Sequence, residues 1–134
     1  MSAPDNGGMT EAQIFSHDVR GVTVAIFRGR SILDQSTVLA LGRTLYDLVE
    51  NQGKGKLLLD FTDVTNLSSS MLGVLVRVRK RLAEGKGRMV ILGLRPELRR
   101  VFAITRLDRL FEFYDSDAEA MDSFEAVPPA DKPR

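Results

Sequence analysis

The apolar positions of this chain follow two rhythms. Val22-Thr23-Val24-Ala25-Ile26-Phe27, Lys56-Leu57-Leu58-Leu59-Asp60 and Arg88-Met89-Val90-Ile91-Leu92 are short, dense runs. Such runs predict strands buried on both faces of a helix-covered sheet. Ile14 to Val19 predicts a strand ahead of them, and the turn signal Arg20-Gly21 joins it to the next as a hairpin. Elsewhere the spacing is helical. Val38, Leu41, Leu45, Leu48 and Val49 form one stripe, with Asp34 or Ser36 as its cap and Gly53 as its stop. Met71, Val74, Leu75, Val78 and Leu82 form a second stripe, which Leu72 and Val76 widen. That widening predicts either cover on more than one side or an apolar surface left for a partner. Gly85 and Gly87 bracket the turn that follows. Pro96 opens a third helix with Leu98, Val101, Phe102 and Thr105 as its inner face. Ser116-Asp117-Ala118-Glu119 matches a capping box ahead of a last helix with Ala120, Met121 and Phe124. The segment from Gly29 to Asp34 reads as a loop, and Phe111 to Tyr114 is compatible with a short fifth strand. The order is β-β-α-β-α-β-α-(β)-α. It predicts an α/β domain over residues 12–126, in which a mixed sheet of four to five strands with an N-terminal hairpin packs against about four helices. Flavodoxin-like folds alternate in a related way but begin with a βαβ unit.

The rest is organised around the stretch from Leu57 to Val74. An apolar run stops at Asp60, a short polar loop follows, and Ser68-Ser69-Ser70 open onto the second helical stripe. Serines at a helix start accept from free backbone N–H groups, so Ser68 or Ser69 is expected to cap the helix. The strand-to-helix junction is also where open α/β sheets place their sites.

Composition narrows the function. The chain has 134 residues with 19 basic and 18 acidic side chains, a net charge of +1. That balance predicts neither a nucleic-acid binder nor a membrane-surface protein. There is no cysteine and one histidine, His17, which reads as a surface residue. Disulfides and thiolate chemistry are excluded, and no metal or cofactor is expected. No apolar run reaches the roughly 20 residues of a membrane span, and the start lacks a signal pattern. The expectation is a soluble cytoplasmic protein with a flexible tail over 1–11 and a disordered, Pro-rich tail over 127–134.

Catalysis finds no residue set. The serines lack a G-x-S-x-G elbow, and His17 is the one base of the usual kind. There is no P-loop. Asp60 by itself does not make the acidic set of a phosphorelay receiver, and Asp60 with Asp63 is weak evidence for a cation. A serine at a helix N-terminus, in contrast, suits a phosphorylation switch. The phosphate sits beside free N–H donors, adds about −2 of charge and makes or breaks a docking surface. Arg77, Arg79, Lys80, Arg81, Lys86 and Arg88 follow the serines and read as a solvated basic face, or as a surface for an acidic partner.

At these residues the chain resembles the STAS domain family, the sulfate transporter and anti-sigma factor antagonist domains. The carriers are Leu57-Leu58-Leu59-Asp60-Phe61, Val64, Leu67, Ser69-Ser70 and Leu72-Gly73-Val74-Leu75. Gly29-Arg30 with Leu33-Asp34 supports them, as does Leu107-Asp108-Arg109-Leu110-Phe111. The likeness spans Ile14 to Phe124. The family pattern at the loop is close to Asp-Ser-Ser/Thr-Gly-Leu-Gly, and its second hydroxyl residue is phosphorylated by a partner serine kinase that is itself an anti-sigma factor. The resemblance places that acceptor at Ser70, with Ser69 as the alternative. Two positions depart: Ser68 replaces the aspartate, and Met71 replaces the glycine. The loss removes a charged cap, and the gain sets an apolar side chain beside the acceptor, narrowing access to it or offering a contact.

The resulting expectation is a non-catalytic antagonist that binds an anti-sigma factor kinase and is released by phosphorylation at Ser70. Kinase, ATP and magnesium belong to the partner, and a phosphatase resets the cycle. The expected partner surface comprises Asp60, Asn66, Ser68, Ser69, Ser70, Met71, Leu72 and Val76. The rival is a soluble accessory subunit docking on the ATPase of a membrane lipid-transport system, through the same helix and without phosphorylation. The sequence leaves monomer and weak dimer both open.

Overall fold

The computed structural model describes residues 12–126; the two expected tails, 1–11 and 127–134, lie outside the described residues. Strands β1 (Gln13–Val19) and β2 (Val22–Arg28) form the antiparallel hairpin. Arg20 and Gly21 turn it with φ of 52° and 81°, the two left-handed residues that match the twist of paired strands. β3 (Ser31–Ile32) follows, then helix α1 (Gln35–Tyr46), which runs into a π-helical turn over Asp47–Asn51. β4 (Lys56–Asp60), β5 (Asn66–Leu67) and α2 (Ser69–Glu84) form the central unit. β6 (Arg88–Leu92), α3 (Pro96–Ile104), a 3₁₀ turn at Leu107–Arg109, β7 (Glu112–Tyr114) and α4 (Asp117–Ala126) complete the described chain.

Five strands form one mixed sheet in the order β1-β2-β4-β6-β7, parallel except for the hairpin, with β4 in the middle. Its three consecutive leucines are all buried because the two faces are both covered. Leu57 and Leu59 pack with α1, α2 and α3, around Leu45, Leu75 and Phe102. Leu58 faces the other way, toward Ala120, Met121 and Phe124 of α4. Aromatic contacts tie the large core together: Phe27 on Phe61 at 4.4 Å, and Phe102 edge-on to Phe113 at 5.4 Å.

Two local expectations change, and one open choice is decided. The segment from Gly29 to Asp34 is not wholly a loop, because Ser31 and Ile32 pair in parallel with Asn66 and Leu67 of β5. A two-residue strand carries no periodicity and is made by its distant partner. In α3, Leu98 and Phe102 are buried, but Val101 and Thr105 are exposed. The helix is nine residues long, and its inward stripe is the width of one i, i+4 pair. Asp34, not Ser36, caps α1, accepting from the backbone N–H groups of Ser36 and Thr37.

Candidate functional site

The loop after β4 is built by its own polar side chains. Asp60 Oδ1 accepts from the Thr62 N–H at 2.9 Å and from its hydroxyl at 2.6 Å. This local turn takes the chain out of the sheet, since an aspartate bonded to backbone two residues on competes with strand pairing. Phe61 and Val64 are buried and pin the loop to the core. The Arg30 carbonyl then accepts from the N–H groups of Thr65 and Asn66 at 2.7 and 3.1 Å. Asn66 Nδ2 donates to Ser31 Oγ at 3.2 Å. The Ser68 N–H donates to the Ile32 carbonyl at 2.9 Å. The β3–β5 ribbon therefore fixes where α2 begins.

Ser68 is the cap of α2. Its φ and ψ are −83° and 161°, and its Oγ accepts from the Met71 N–H at 3.2 Å. That takes over the role of the aspartate in the family pattern with a neutral side chain. Ser69 and Ser70 occupy the first two helical positions and are exposed. The first turn of α2 holds no acidic residue, so no carboxylate there opposes the positive end of a sixteen-residue helix.

The expected partner surface divides. Asn66, Ser69 and Ser70 are exposed and Ser68 is half-buried beside them. Met71 is 0% exposed and Leu72 7%, so both are corrected from surface contacts to core residues. Their positions on α2 turn them inward under the sheet-facing stripe, and Met71 neither narrows access to Ser70 nor offers a contact. Val76 is half-buried against the same core. Asp60 belongs elsewhere, in a cleft of about 490 Å³ with Thr62, Asp63, Asp115, Asp117 and Arg28 at the carboxyl ends of β2, β4 and β6. The serines do not line that cleft. Among the described residues no three His, Cys, Asp or Glu side chains are grouped to hold a metal ion, and no helix is long and apolar enough to cross a membrane.

Two features escaped the linear reading. Leu33 is 55% exposed and directly follows Ile32, the residue that receives the Ser68 N–H. Leu39 is half exposed on α1; its signal is that it falls outside the stripe of Val38, Leu41 and Leu45. The basic run is not uniformly solvated either. Arg81 pairs with Glu50, and Arg88 with Glu112.

The STAS domain model matches residues 17–120. A Thermotoga maritima protein provisionally assigned as an anti-sigma factor antagonist is 32% identical over 78 residues, 58% of this chain and 69% of its own length. The crystal structure of an anti-sigma factor antagonist from Mycobacterium paratuberculosis superposes with a TM-score of 0.75 at 25% identity, covering 86% of this chain and 95% of that one. The phosphorylated form of the Bacillus cell fate determinant SpoIIAA superposes with a TM-score of 0.64 at 19% identity, covering 84% and 99%.

Proposed function

The chain belongs to the STAS domain family, and from that premise we propose that it is an anti-sigma factor antagonist switched by phosphorylation of Ser70. The observation that carries this reading is the division of labour at the start of α2. Ser68 is spent on the cap, Met71 and Leu72 are spent on the core, and Ser69 and Ser70 stand exposed between them. A hydroxyl in the first helical turn takes a phosphate without unfolding the helix, because the dipole and the backbone donors favour the added charge. The relatives assigned as antagonists support the same reading, and SpoIIAA is an instance of this fold in a phosphorylated form.

The unphosphorylated chain binds an anti-sigma factor with serine kinase activity at the surface of Asn66, Ser69 and Ser70. Leu33 beside the ribbon supplies apolar contact that Leu72 does not. Transfer of a phosphoryl group to Ser70 places about two negative charges in that contact and ends it.

The test is isolation of the protein from its own cells, with identification of what copurifies and intact-mass analysis of wild type and Ser70→Ala. The expected result is a kinase-type anti-sigma factor as partner and one phosphate on Ser70, absent from the variant. In binding assays Ser70→Glu is expected to weaken the complex by about tenfold or more. An unmodified Ser70 in a protein recovered with a transport ATPase would overturn this reading.

A further inference from the structure

Arg77 stands apart from its basic neighbours. Arg81 and Arg88 each have a carboxylate; Arg77, like Arg79, Lys80 and Lys86, has none among the described residues, but it alone of these is held by a side-chain hydrogen bond there. Its Nε donates to the Tyr46 hydroxyl at 2.9 Å. A phenol orients a guanidinium without neutralising it, so the charge and the remaining N–H donors stay available. Tyr46 is steadied in turn, since Arg81 lies over its ring at 5.1 Å from the centroid.

Gly73 settles where that guanidinium lies. A Cβ on Gly73 would stand 3.5 Å from Arg77 Nη1. The side chain thus runs back toward the helix start, the usual direction in a helix, over a position with no side chain of its own. Below Gly73 comes the first turn. At 3.6 residues per turn, the seven residues from Ser70 to Arg77 return to within about 20° of one direction, while the eight from Ser69 leave about 80°. From Gly73 to Ser70 the axial gap is about 4.5 Å, which a phosphorylated serine side chain spans. Ser70 also has no preceding helical turn to restrict its rotamers.

We propose that Arg77 is the built-in receiver of a phosphate on Ser70, held ready by Tyr46 and given room by Gly73. The inference rests on the phosphoswitch reading for its biological occasion, and it selects Ser70 over Ser69. In the unmodified chain the serine surface is edged by a free cation. After phosphorylation the guanidinium donates to phosphate oxygens, and both the cation and the open hydroxyl are withdrawn from the partner together. Release then has two causes: new negative charge in the contact, and loss of a positive one.

The test needs no kinase. Phosphoserine is installed at position 70 of the full chain by codon suppression, with and without Arg77→Gln, and urea midpoints of the four proteins form a double-mutant cycle. The phosphate is expected to be about fivefold or more better tolerated, in the folding equilibrium, when Arg77 is present. The Arg77 Nε–H resonance is expected to shift on phosphorylation, and Tyr46→Phe to weaken the coupling. Equal phosphate effects with and without Arg77, together with an unmoved Nε–H, would overturn the proposal. That outcome leaves the partner reading intact, because kinase capture and Ser70 modification are read in separate experiments.

Discussion

Ser68, Ser69 and Ser70 are chemically identical, and one residue of offset gives each different work. The cap has extended backbone and turns its hydroxyl onto the Met71 N–H; the next two have helical backbone and leave theirs in solvent. Asp34 shows the charged version of the same device at α1. Hydrogen bonds from the Ser36 hydroxyl, then from the Thr37 N–H, hold its carboxyl below the ordinary value of 3.8. Asp18 is lowered as well, first by Lys54 and then by Thr23. Between the folded and unfolded values the unfolded chain binds more protons, so acid favours unfolding. The stabilisation is complete above the ordinary value of 3.8 and fades as pH falls through the lower folded value. Asp34→Asn keeps a capping oxygen but no titratable group. Its urea midpoint is expected to fall less than that of wild type between about pH 6 and pH 3; equal falls would sink the assignment.

At the scale of elements, the junctions are stricter than the elements they join. Gly93 follows β6 with φ of +74°, and its N–H donates to the Tyr114 carbonyl at 2.9 Å. A Cβ there would stand 2.3 Å from Thr62 Oγ1. The exit of β6 is thereby pressed against the loop that starts at Asp60. Gly93→Ala is expected to cost at least about 2 kcal/mol, from the left-handed backbone and from the contact. Adding Thr62→Ala should recover the contact part and not the backbone part, so chemical denaturation of the two singles and the double separates the causes. Additive losses would show that the contact contributes nothing. The end of α3 shows the opposite case. Ile104 is 74% exposed, since a helix that buries Leu98 and Phe102 leaves its other faces to solvent.

For the whole molecule, the asymmetry of the sheet matters most. One face carries three helices and the large core; on the other, α4 covers Val22, Leu58, Val90 and Leu92. Arg88 fastens that helix. Its guanidinium forms two bonds to the Glu112 carboxylate, which raise its pKa further above the ordinary range, and Nη1 donates to the Ser123 carbonyl at 2.6 Å. It also lies over the Phe124 ring at 4.9 Å. Arg88→Ala is expected to cost about 2 kcal/mol. Its amide exchange should accelerate first in Asp117–Ala126 and least in β4. Uniform acceleration would mean that α4 is not a separately fastened unit. The serine surface lies across the domain from this clamp, at the other end of α2, so the variant should keep partner binding.

How much of this was legible in the linear pattern depends on how local its cause is. Consecutive leucines at 57–59, the helical stripes, the Arg20-Gly21 turn and a serine cap at Ser68 or Ser69 are matters of neighbours within a few residues. Their physics is carried by the residues themselves, and the elements stand where the spacing placed them. The motif around Ser69-Ser70 carried the family for the same reason. What depended on contact across the fold was not legible. Ser31 and Ile32 are a strand because Asn66 and Leu67 lie beside them. Met71 stood in the helical stripe, but that Leu72 beside it is core as well depends on what packs around α2. Arg77 lies over Gly73 with its Nε on the hydroxyl of Tyr46, thirty-one residues earlier. Secondary structure and capping follow from short-range sterics and hydrogen bonding, which a sequence states directly. Burial and side-chain direction follow from which distant surfaces meet, and that the tertiary structure decided.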